Sequence, residues 1–113
     1  MKKNLRCLPP LLLAAGFFAS SAFASTEGVE RSGEQIVQYQ CVLCHGPGVG
    51  GAPRIGDRKA WSSRAESGLE GLVRSALRGR GGMPPSGGLA GLKETELRAA
   101  IDYMLRKSDA ARN

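Results

Sequence analysis

Three side chains with rich chemistry fall within five consecutive positions: Cys41, Cys44 and His45, in the stretch QCVLCHGPG that runs from Gln40 to Gly48. His45 is the only histidine among the 113 residues. Two thiols and an imidazole at this spacing suit three kinds of chemistry: a zinc site, a redox-active thiol pair, or covalent attachment of a larger prosthetic group.

The rest of the chain separates these readings. A structural zinc site needs four ligands, usually from two paired clusters, and this sequence has neither a second C-x-x-C nor a second histidine. A thiol-disulfide catalyst places its pair at the start of a helix, where the helix N-terminus stabilises the thiolate. Here the pair closes the far end of a helical pattern in a chain without strand patterns. Covalent haem attachment uses all three residues. On a helical turn, positions three and four apart share a face, so the sulfurs of Cys41 and Cys44 reach the two vinyl groups along one porphyrin edge while His45 is delivered to the iron. C-x-x-C-H carries that meaning in an exported protein.

Residues 1–24 supply the export signal. Lys2, Lys3 and Arg6 precede an apolar run from Leu11 to Ala19, and Ala22, Phe23 and Ala24 form an A-x-A ending, which is the layout of a cleaved secretory signal peptide. The run is too short to span a bilayer, so no membrane insertion is expected after cleavage following Ala24. The expected compartment is the periplasm of a Gram-negative bacterium. Cleavage removes Cys7 and all three Phe, leaving 89 of the 113 residues, with Tyr39, Trp61 and Tyr103 as the only aromatics. A domain that small needs more than a modest aliphatic core, and a buried haem would supply it.

Charge excludes another class. Three of the 16 Lys and Arg leave with the leader, so 13 stand against 10 Asp and Glu, scattered without runs. Nucleic-acid binding is not expected from such a distribution. The mild basic excess suits transient docking on acidic partners.

Beyond the leader, residues 25–32 form a polar, flexible segment and residues 33–107 the domain, followed by a tail over 108–113. Ser32, Gly33, Glu34 and Gln35 have the S-x-x-Q pattern of a capping box, which predicts a helix from about Gly33 to Cys44. Gly46 to Gly56 holds five Gly and two Pro in eleven positions, a folded loop. Asp57 to Arg64 forms a short helix carrying Trp61. Leu69, Leu72, Val73, Ala76 and Leu77 recur at helical spacing and stop at Gly79. A second loop, GRGGMPPSGG, isolates Met83, and the last helix presents Leu97, Ala100, Ile101, Met104 and Leu105 on one face. The sum is an all-α fold of three to four helices and two Gly/Pro-rich loops around one covalently attached haem.

Iron bound by histidine has a sixth position, and a methionine thioether there raises the reduction potential. Met83, between Gly81-Gly82 and Pro84-Pro85, lies in a loop able to approach the ring closely, whereas Met104 sits mid-helix on the apolar face, a packing position. His45 needs an acceptor for its Nδ1 proton so that Nε2 faces the metal. The carbonyl of Pro53 is the candidate, because Pro47 lies too near in sequence. Trp61 has two readings, a propionate partner for its indole N–H or plain core packing. Tyr103 and Gly33 mark the crossing of the last helix over the first.

With these residues in place, the sequence resembles the class I c-type cytochromes, and among them the cytochromes c5. GEQIVQYQCVLCH, GVGGAPRIGDRKAW, ALRGRGGMPPSGG and AAIDYML each read like a block of that family, in order and at similar spacing. The resemblance implies a small cytochrome c fold, thioethers from Cys41 and Cys44 to one haem c, iron ligation by His45 and Met83, and a carbonyl contact from Pro53. It also implies a haem edge partly open to solvent near Arg78 and Arg80. Leu89 and Leu92 stand where that family often has a further cysteine pair, and Lys93 stands where a Ser or Thr cap is common, leaving Glu96 without its capping-box partner. The implied function is a monohaem electron carrier, not an enzyme, that docks transiently on membrane or periplasmic redox proteins. Two rival readings are an electron-accepting haem subunit of a dehydrogenase complex and a gas-binding or peroxidatic haem protein. The last lacks a second histidine for acid-base work.

Overall fold

Ser32 starts the first helix from just outside it. Its backbone is extended, its hydroxyl accepts from the Gln35 amide at 3.2 Å, and the Gln35 side chain accepts from the Ser32 amide at 2.8 Å. This is the reciprocal box that S-x-x-Q predicts. In the computed structural model, which describes residue 16 and residues 28–110, three continuous segments follow: α-helix Gly33–Ile36, π-helix Val37–Cys41 and α-helix Val42–His45. Together these residues, 33–45, are α1. Apart from residue 16, the leader expected over residues 1–24 lies outside the described residues, as does the end of the tail.

The π-helical turn is a departure from the regular helix that the sequence predicts. Its wider hydrogen-bonding ring adds a residue to one turn, and Gln40 and Cys41 both fall inside it.

Among the described residues three further α-helices follow, with short 3-10 turns at Val49–Gly51 and Pro85–Gly88 in the two loops. Helix α2 spans Arg58–Ala65, with Asp57 as its cap: the carboxylate accepts from the Ala60 amide at 3.0 Å. Helix α3 spans Gly68–Arg78 and α4 spans Glu94–Lys107. Among the described residues none of these helices is long and apolar enough to cross a membrane. The buried core joins Ile36 and Val37 from α1, Val73 and Ala76 from α3, and Leu97, Ala100, Ile101, Met104 and Leu105 from α4, all on faces that periodicity singles out, to Trp61 and Ala65 from α2, Tyr103 from α4, and Ala110 beyond α4, which periodicity does not single out. Leu89 and Leu92 pack half-buried against it, so apolar contact holds the segment where the family's extra cysteine pair would stand.

Helix α4 crosses α1 at Gly33. A Cβ there would run into the Ala99 carbonyl and stand 2.9 Å from the Ala100 nitrogen, so only glycine lets the two backbones approach this closely. Tyr103 strengthens the crossing by donating its hydroxyl to Glu34 at 3.0 Å. Arg98 of α4 pairs with Glu70 of α3 through both terminal guanidinium nitrogens, Nη1 and Nη2.

Two terminal segments are tied more firmly than their polarity suggests. Glu30 accepts from the Thr95 hydroxyl at 2.9 Å, and Arg31 reaches Glu96 with its backbone N–H and two guanidinium nitrogens at 2.8–3.0 Å. Ser108, just past α4, is buried, and its hydroxyl accepts from the Gly56 amide at 2.9 Å. The expectation that Glu96 lacks its capping partner is also corrected: the Lys93 amide donates to Glu96 Oε2 at 3.0 Å. That half of a capping box needs only a backbone N–H at the cap position, and lysine supplies one as well as serine does.

Candidate functional site

Helix α1 ends in the three residues with the richest chemistry. Cys41 is half-buried and Cys44 exposed, both as free thiols one helical turn apart, and His45 is buried. Burial pushes the Cys41 thiol above its ordinary pKa. A thiol held in its neutral form is a poor redox nucleophile, since the thiolate is the reactive species. The environment of Cys41 is therefore not that of an activated thiolate.

The glycine-rich loop after α1 is folded around His45. The imidazole Nδ1 lies 2.8 Å from the Pro53 carbonyl oxygen, the acceptor that sequence reasoning picks out. Because a carbonyl only accepts, the proton sits on Nδ1 and Nε2 keeps its lone pair for a metal. The Ile55 amide donates to the carbonyl of His45 itself at 2.8 Å, and Arg54 Nε donates to the Gly46 carbonyl at 3.1 Å. Three successive residues thus grip the end of α1. The bond from Gly56 to buried Ser108 anchors this loop to the end of α4.

Trp61 stands at the same place, but its N–H has a different partner from the propionate considered for it. The indole donates to the Arg54 carbonyl at 2.9 Å, and its ring lies 5.6 Å from the His45 ring, tilted by 35°. The side chain is 4 % exposed. Trp61 is thus a wall of the histidine pocket and a brace for the loop that holds His45.

The second loop presents Met83. Arg80 and Met83 exchange backbone hydrogen bonds, both 2.9 Å, closing a tight hairpin, and Gly87 donates to Pro84 at 3.0 Å in the next turn. Gly79 enters this hairpin at φ 79°, and a Cβ there would stand 2.8 Å from the Met83 carbonyl oxygen and 2.9 Å from the Pro85 nitrogen. Met83 is half-buried against the core, whereas Met104 is buried among the α4 side chains. Arg78 and Arg80 flank the hairpin and are exposed. Sequence reasoning places Gln40 at helical spacing with Ile36 and Val37 but gives it no role, and it misses Arg54 and Ser108, which belong to no periodic or spaced pattern.

Among the described residues no group of three or more His, Cys, Asp and Glu side chains is placed to hold a metal ion. One imidazole with its tautomer fixed, two free thiols on the adjoining turn and a thioether on a separate loop fit a metal that arrives with its own in-plane ligands. Haem is such a group.

Comparison with known proteins decides the family. A family model described as cytochrome c oxidase, cbb3-type, subunit III matches residues 28–104. The chain is 46 % identical over 83 residues to cytochrome c5 of Ectopseudomonas mendocina, covering 72 % of this chain and 95 % of the relative. It belongs to the class I c-type cytochromes.

Cytochrome c5 of Azotobacter vinelandii is 44 % identical over 79 residues, covering 68 % of this cytochrome and 95 % of its own length. Among solved structures, the cytochrome matches a chain from the crystal structure of an electron-transfer complex of nitrite reductase with cytochrome c. That match has a TM-score of 0.65 and 42 % identity, and covers 67 % of this chain and 93 % of the other. A mono-haem ferrocytochrome c from Shewanella putrefaciens matches with a TM-score of 0.61 and 34 % identity, over 66 % of this chain and 91 % of the other. The all-α fold is thus that of small cytochromes c. Membership brings one covalent haem c, for which Cys41 and Cys44 are the C-x-x-C pair, and makes this cytochrome an electron-transfer protein, not an enzyme.

Proposed function

We propose that this monohaem cytochrome works in the periplasm as a one-electron carrier between larger redox complexes, and that His45 and Met83 would hold its iron. Haem c supplies the chemistry, an iron that takes up and gives back one electron. The chain supplies attachment, orientation and shelter. Cys41 and Cys44 would hold the porphyrin through thioethers, Pro53 holds the His45 tautomer, Trp61 lies beside the imidazole, and Met83 would contribute a sulfur that favours the reduced state.

The observation that carries this reading is the 2.8 Å bond from His45 Nδ1 to Pro53, beside two unpaired cysteines on the adjoining turn. The basic, apolar and A-x-A segments of residues 1–24 support export. Docking on a larger enzyme is supported by the likeness to a cytochrome solved in complex with nitrite reductase. Exposed Leu43 and Val49, on either side of Cys44 and His45, together with exposed Arg78 and Arg80, suit a small interface that releases its partner quickly.

The test is spectroscopic. The exported protein should give a haemochrome spectrum with two thioethers and the weak red absorption band of thioether bound to ferric iron. Met83→Ala should abolish that band, lower the potential and admit small ligands. An unchanged potential on a six-coordinate iron would reject Met83 as ligand. The name of the matching family model supports a second reading, a haem subunit held in a larger complex; purification of the exported chain free of other chains would reject that one.

A further inference from the structure

Helix α1, which carries Cys41, Cys44 and His45, and the loop that carries Met83 must stay in register if both are to hold one iron, and the structure shows a direct tie between them. Gln40 immediately precedes Cys41, in the π-helical turn of α1. Its amide Nε2 donates to the Gly87 carbonyl at 2.9 Å, across 47 positions of sequence. Among the described residues this is the one side-chain hydrogen bond shown between α1 and the loop that carries Met83.

The surroundings place the bond beside the thioether end of Met83. A Cβ at Gly87 would stand 3.9 Å from the Met83 methyl carbon, so the residue that accepts from Gln40 also lies against the tip of the methionine. A Cβ at Gly88 would come within 3.8 Å of the Gln40 amide nitrogen and 3.2 Å of Pro84. The loop is braced internally by the Arg80 to Met83 hairpin and the Pro84 to Gly87 turn. Those bonds hold its shape but do not fix where that shape sits relative to Cys41, Cys44 and His45.

We propose that Gln40 is a positioning residue for the sixth ligand: its amide docks the Met83 loop onto the helix that carries the attachment cysteines and His45. This rests on the reading of Met83 as a ligand. The required chemistry is donation to a carbonyl, which an amide or an ammonium provides and a carboxylate does not.

That requirement sets the test, made on the matured, haem-bearing protein. Gln40→Ala and Gln40→Glu should bind added imidazole at ferric iron about fivefold more tightly than wild type, the factor that one ordinary net hydrogen bond sustains. They should also lose the thioether-to-ferric band on warming well before the helices melt. Gln40→Lys, which restores a donor, should recover the wild-type band and imidazole affinity. A wild-type band accompanied by unaltered band and imidazole affinity in Gln40→Ala and Gln40→Glu would overturn the role of Gln40 alone, even if those variants melted earlier. A wild-type protein without the band would overturn the assignment of Met83 and this role with it.

Discussion

Glu96 receives Arg31 three times: from the backbone N–H at 3.0 Å, from Nε at 2.9 Å and from Nη2 at 2.8 Å, while the Lys93 amide takes a remaining site on the same carboxylate at 3.0 Å. The clamp joins the residue just before the α1 cap to the first turn of α4. The carboxylate is almost wholly covered, so its charge is stabilised by these donors more than by water.

The Arg31 guanidinium, then the backbone N–H groups of Arg31 and Lys93, hold the Glu96 carboxyl far below the usual carboxylate range. A group whose folded pKa is depressed contributes stability above its unfolded pKa and loses that contribution as pH falls below it. Thermal melts of the wild type should therefore fall as pH drops below about 4.3, the ordinary value for glutamate. Glu96→Gln should melt lower near neutrality but lose less on acidification through the same window. Parallel pH curves for the two proteins would show that the clamp is not a source of acid sensitivity.

Gly33 sets the distance between α1 and α4. The groups that a methyl would meet are backbone atoms of Ala99 and Ala100, which cannot turn aside as a side chain would. Gly33→Ala should cost about 3 kcal/mol, the upper end for overpacking a close contact, in urea unfolding of the matured protein. Gly28→Ala, with nothing within 4 Å of the added carbon, is the control and should be near neutral. A Gly33→Ala variant as stable as the control would mean that the helices separate without penalty.

Gly79 does the equivalent work in the methionine loop. Its φ of 79° disfavours any side chain, and the added carbon would also press on the Met83 carbonyl and the Pro85 nitrogen. Gly79→Ala should cost about 1–3 kcal/mol in strain. The displacement falls on the hairpin that presents Met83, so the thioether-to-ferric band should weaken as well. Loss of stability with an intact band would place the strain in α3 instead.

What the sequence discloses and what it hides divide along a physical line. The capping box at Ser32, the stop at Gly79 and the apolar faces of α3 and α4 are local patterns whose spacing matches the helical repeat, and each is found where it is predicted. The Pro53 carbonyl was legible for a related reason: a short loop leaves His45 few acceptors within reach. Pairings over long separations leave no such trace. Nothing around Gln40 announces Gly87, nothing around Arg31 announces Glu96, and the π-helical turn has no residue signature of its own. The partner of Trp61 was open for the same reason, since a buried indole N–H demands an acceptor without saying which.

That indole supplies the last test. Trp61 donates to Arg54, between the residue that orients His45 and the one that binds its carbonyl, so the bond stiffens the whole grip on the imidazole. Trp61→Phe removes one of the two donors to the Arg54 carbonyl, the Asp57 amide at 3.0 Å being the other, and should cost about 1 kcal/mol in urea unfolding. Because the N–H points at backbone and not at a propionate, the pH dependence of the reduction potential, which reports propionate ionisation, should keep its inflection. A shifted inflection with unchanged stability would mean that the indole serves the propionate after all, and that the Asp57 amide alone satisfies the Arg54 carbonyl.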